Sequence, residues 1–181
     1  DEVEEAVKRI EDLVERLREL LEKTSREIEK ILKESEDKLR ESSDRIRRLL
    51  DELKKLIENG ADDELVRKML KDIKDILEES ERTSKETLDR IREILKKSED
   101  LVREVLERIE RLLEDVARRI TDEEKLRKAE DTVRRVIKDV RKMLEDDRRT
   151  VEEVIRRDRE ALEKDRKTVD DVIEDVKRVA K

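Results

Sequence analysis

Nine polar side chains hold most of the chemical interest in this sequence of 181 residues: Thr24, Ser35 and Ser42, then Ser80, Thr87 and Ser98, then Asp147, Asp158 and Asp165. Each interrupts a stripe of Leu, Ile and Val, and within every group the successive spacings are 11 and 7 residues. Hydroxyls placed beside a carboxylate can support three kinds of chemistry. A serine nucleophile needs a poised base, and a serine beside an aspartate with no histidine and no stripe lysine lacks one. A hard-cation site needs several anionic oxygens, and one carboxylate per group neutralises little of a divalent charge. In a hydrogen-bond network, two hydroxyls donate and one carboxylate accepts, so the groups satisfy each other. The network is the reading we carry forward, with no catalytic, cofactor-binding or metal-binding residue expected.

Composition narrows the field in the same direction. The chain has no His and no Cys, which removes imidazole bases, thiol nucleophiles, disulfides and the usual zinc ligands. It has no Phe, Trp or Tyr to stack against bases, and its net charge is −7 with both signs interspersed. Neither nucleic acid nor an anionic membrane is an expected partner. No apolar run approaches the roughly 18 residues of a membrane span, and no signal-peptide pattern opens the sequence. A soluble protein of unassigned compartment is expected. Although 58% of residues are charged, the Leu, Ile and Val content lies above that of disordered chains, so their order decides whether a core forms.

That order is helical. With one glycine and no proline, breaks are scarce. Asn59-Gly60 at the end of an apolar-periodic stretch reads as a left-handed helix stop, and Asp62 offers a cap to the next helix. Thr121 and Glu124 have capping-box spacing at a second break. Helices are expected at about 2–59, 62–119 and 122–180, boundaries that sequence places to within a few residues. In the first, apolar or small residues recur in steps of three and four from Val3 through Ile10, Leu17, Leu21, Ile28, Ile46 and Leu53. One stutter falls between Ile31 and Leu39. Doubled positions such as Leu20/Leu21 and Leu49/Leu50 widen the seam as a bundle requires. Short turns force neighbouring helices antiparallel, and at 1.5 Å per residue each would run about 85 Å. The expected fold class is all-α: an elongated, coiled-coil-like, up-down-up three-helix bundle forming one domain over residues 1–181.

Antiparallel neighbours at one height have a constant sum of residue numbers. Thr24 with Ser98, Ser35 with Thr87, and Ser42 with Ser80 share the sum 122. Ser98 with Asp147, Thr87 with Asp158, and Ser80 with Asp165 share 245. Three mixed layers follow, with Ser25, Ser43, Thr83 and Ser84 flanking them as additional donors. A buried carboxylate without partners costs several kcal/mol, so the hydroxyls should point at it and burial should raise its pKa. A register slip would strand each aspartate, which makes structural specificity the expected role. In the plainer alternative, Ser and Thr are small fillers and the aspartates reach solvent at the seam's edge.

The charged outer faces in "ERLRELLEKTSREIEKILKES" and "RRDREALEKDRKTVDD", the minimal turns and the interrupted seam together resemble a computationally designed helical bundle with buried hydrogen-bond networks. The resemblance covers the whole chain. It implies a scaffold with no natural biochemical function, no enzymatic activity and no required cofactor or partner, and it implies a network role for the nine residues. Such networks often use Asn, Gln or His, and here Asp takes their place. The alternative implied use is an interaction module, in which three helices leave a groove for a designed fourth helix or a second copy. Spectrin-like repeats fit less well because no aromatic anchor is present, and lipid-binding amphipathic proteins fit less well because proline punctuation is missing.

Overall fold

A computed structural model describes residues 2–179 and places them in three α-helices of 57 residues each: α1 (Glu2–Glu58), α2 (Asp63–Arg119) and α3 (Glu123–Val179). The expected helices are all present. The expected end of the third at Ala180 lies outside the described residues. Acidic side chains open every helix and basic ones close it, matching the partial charges at the helix ends.

The first turn follows from Gly60. Its φ of 72° lies in the left-handed region that favours glycine. The Ala61 amide then reaches back to the Leu56 carbonyl (2.9 Å), and the Gly60 amide reaches the Ile57 carbonyl (3.1 Å). These two bonds satisfy carbonyls that the end of α1 would otherwise leave open, in the Schellman arrangement. Asp62 precedes α2 and accepts the Val66 amide at 3.2 Å through its backbone carbonyl.

The second turn corrects one expectation. The cap of α3 is Asp122, not Thr121. Its carbonyl accepts the Leu126 amide (3.2 Å) and its Oδ1 accepts the Glu124 amide (3.1 Å). Because α3 begins at Glu123, Thr121 stands one residue too early to reach the free amides of the first turn.

The helices pack as two compact units. One contains α1 up to Glu29 together with Ile91–Val151, and the other contains Lys30–Arg90 together with α3 from Glu152 onward. In the first unit Ile10, Ile109 and Val133 meet, one from each helix, and Leu17, Leu21, Val102, Val136 and Val140 form a second cluster. Residues near the start of α1 and α3 thus lie beside residues near the end of α2, so α1 and α3 are parallel there and α2 is antiparallel. In the second unit Ile46, Leu50, Leu53, Val66, Ile73, Leu77 and Val169 form the core. The chain directions are again up, down and up. Each fully buried Leu or Ile contributes about 2 kcal/mol of transfer free energy, so these clusters hold the segments together. None of the helices described is long and apolar enough to cross a membrane.

Candidate functional site

The polar layers are the chemically distinctive feature, and they fall within the units. In the first unit, Asp147 on α3 accepts a hydrogen bond from Ser25 on α1, whose Oγ lies 2.9 Å from both carboxylate oxygens. Thr24 and Ser98 were the expected donors, and neither reaches it. The Thr24 hydroxyl donates instead to the Leu20 carbonyl of its own helix (2.9 Å), a local acceptor that any helical threonine has within reach. Ser98 is 3% exposed, and its Oγ has no hydrogen-bond partner among the described residues. Burial raises the Asp147 pKa above the ordinary carboxylate value; the Ser25 hydrogen bond opposes that shift, and the charges of Glu29 and Asp146 add to it.

A hydroxyl buried without a partner destabilises the fold. Ser98→Ala should therefore raise stability by about 1 kcal/mol. Chemical denaturation of the two proteins checks this, and an equal loss would mean that Ser98 has a partner in solution.

In the second unit Asp165 is 8% exposed and accepts a hydrogen bond from Ser43 Oγ at 2.6 Å. Ser42 and Ser80, its expected partners, are not bonded to it. They line a cavity of about 350 Å³ between α1 and α2, together with Ser35, Thr83 and Ser84. The remaining layer differs from both. Ser35 is buried, Thr87 and Asp158 are half-buried, and no hydrogen bond joins the three. The Asp158 carboxyl is pushed up to about 6, first by burial and then by the negative charge of Glu36.

One rule organises these contacts. Parallel helices keep a constant difference of residue numbers, and Ser25–Asp147 and Ser43–Asp165 are both separated by 122. The same separation sets Glu36 opposite Asp158. On the other flank, Arg148 binds Glu99 and Arg166 grips Glu81 through Nε (3.0 Å) and a terminal nitrogen (3.2 Å). Both pairs join α3 to α2 with number sums of 247, and the corresponding partner of Arg159 is Leu88. Two layers therefore repeat one chemistry, in which serine caps the aspartate and a glutamate binds the next arginine. The layer of Asp158 has neither.

Ser25 and Ser43, expected as flanking donors, are the hydroxyls bonded to the aspartates, and Glu36 is the residue that the sequence reading did not select. Their signal was present in the sequence as a constant difference between α1 and α3. Among the described residues, no group of three or more acidic side chains is placed to hold a metal ion.

This chain is a three-helix bundle. A solved structure described as a computationally designed three helix bundle superposes on it with a TM-score of 0.70 at 21% sequence identity, covering 98% of this chain and 91% of that one. No protein-family model and no curated protein matches the sequence. At that identity the likeness concerns the fold.

Proposed function

We propose that this three-helix bundle is a structural scaffold of designed type, without a natural biochemical activity, whose Ser–Asp contacts fix helix register. The observation that carries this reading is the shared separation of 122 in Ser25–Asp147 and Ser43–Asp165. A buried polar pair contributes little net stability but penalises every arrangement that separates its members. Charged residues on nearly all outward positions and the design origin of the similar solved structure support the same reading. No cofactor, nucleic acid or membrane enters it.

The test replaces both pairs with apolar residues, Ser25 and Ser43 by Ala and Asp147 and Asp165 by Leu. The parent should elute as one species with the 21.8 kDa mass of a single chain. The apolar variant should stay helical and melt no lower, yet distribute over several association states in light scattering. A variant as uniform as the parent would remove specificity as the role of these contacts. A parent mass that grows with concentration would favour the groove that accepts another helix.

A further inference from the structure

We propose that Glu36 and Asp158 form a proton-binding pair, holding one proton between two facing carboxylates and coupling the stability of the second unit to pH. The geometry comes from the register. Within that unit Ser43–Asp165 fixes the alignment of α1 with α3, and one heptad earlier the same alignment places Glu36 opposite Asp158. Both side chains are half-buried, and no hydroxyl or cation among the described residues donates to the Asp158 carboxylate.

The other groups around Asp158 leave this pairing unopposed. From α2 the positions opposite are Thr87 and Leu88, both uncharged, while Glu86, Asp89 and Arg90 are exposed. On α1, Lys33, Asp37 and Arg40 are exposed. On α3, Arg157 binds Glu153 at 2.7 Å, and Arg159 lies on the exposed flank beside Leu88. In the layer of Asp165 a serine hydroxyl donates to the carboxylate. Here the facing group is an acceptor as well, and a donor is created only when one carboxyl takes up a proton from water. The resulting O–H then bonds the remaining carboxylate, as in other closely placed carboxyl pairs. Burial, and after it the negative charge of Glu36, push the Asp158 carboxyl up to about 6.

The sign follows from that value. A carboxyl raised above its unfolded value of 3.8 stabilises the fold fully below that pH, and the stabilisation is lost as pH rises through about 6. Glu36→Ser restores the serine-capped arrangement of the neighbouring layer, and Glu36→Gln keeps the side-chain volume while removing the charge. Carboxyl NMR should place the Asp158 midpoint near 6 in the parent and about one pH unit lower in Glu36→Ser.

Thermal melts supply the second readout. Glu36→Ser should melt above the parent at pH 7.5, and the gap should narrow by on the order of 5 °C at pH 5 as the parent binds its proton. Comparing the two proteins at each pH cancels the titration of all other carboxylates. An Asp158 midpoint unchanged in both variants, or a melting gap that is the same at both pH values, would overturn the proposal.

Discussion

Asp158→Leu should stabilise this protein at pH 7.5 by about 2 kcal/mol, raising its melting temperature by roughly 5 °C. The expectation rests on what the carboxylate lacks. Its pKa stands at about 6 against an ordinary 3.8, which corresponds to roughly 3 kcal/mol of preference for the neutral form. Water reaching a half-buried group reduces that figure, and about 2 kcal/mol is what removal of the charge should recover. Leucine also extends the apolar seam at this height. The advantage should shrink as pH falls from 7 to 4, because the parent becomes protonated and loses its penalty. Denaturant titration at several pH values measures both effects. A variant less stable than the parent at pH 7.5 would show that Ser35 and Thr87 depend on the carboxylate.

Ser43→Ala should do the opposite and cost about 2 kcal/mol. The Ser43 hydroxyl donates to Asp165 at 2.6 Å, and Asp165 is buried to 8% exposure. Alanine leaves that carboxylate without its donor, so the loss combines a charge-assisted hydrogen bond with the desolvation of an unpaired group. Replacing Asp165 by Leu in the same chain should recover most of the loss, because removing both partners leaves no orphan. A double-mutant cycle from urea unfolding gives the coupling between the two positions. Additive effects would mean that the bond contributes nothing beyond its two side chains.

These two outcomes separate what the sequence reveals from what it conceals. The first turn was legible because single residues force it: Gly60 adopts a positive φ and Asp62 stands immediately before α2, whereas at the second turn the capping-box spacing pointed to Thr121 and the cap is Asp122. The seam was legible because apolar spacing of three and four has one structural meaning on a helix. Of the nine polar residues in the seam, Thr24, Ser35, Ser80, Ser98 and Asp165 are buried, and Ser42, Thr87, Asp147 and Asp158 are half-buried. Partner choice was legible only in part, since Ser25 and Ser43 stood out as flanking donors and not as the main ones. Adjacent helical residues point about 100° apart, so one step from Thr24 to Ser25 or from Ser42 to Ser43 turns a hydroxyl from one neighbouring helix to the other. A constant sum ranks contacts between antiparallel helices, whereas the Ser–Asp bonds join parallel ones. Thr24 also had an acceptor in its own turn, which composition and height cannot distinguish from one across the core.

The constant difference of 122 pairs positions 25, 36 and 43 of α1 with 147, 158 and 165 of α3, with intervals of 11 and 7 residues and 18 from first to last. These three intervals all differ, which makes the set a ruler on which no distance occurs twice. Any displaced copy of such a ruler coincides with the original at a single mark at most. Equal spacing would have let a helix shifted by one interval still match two marks out of three. On the proposed register role, the undisplaced alignment forms both Ser–Asp pairs, and any displaced one would form at most one of them.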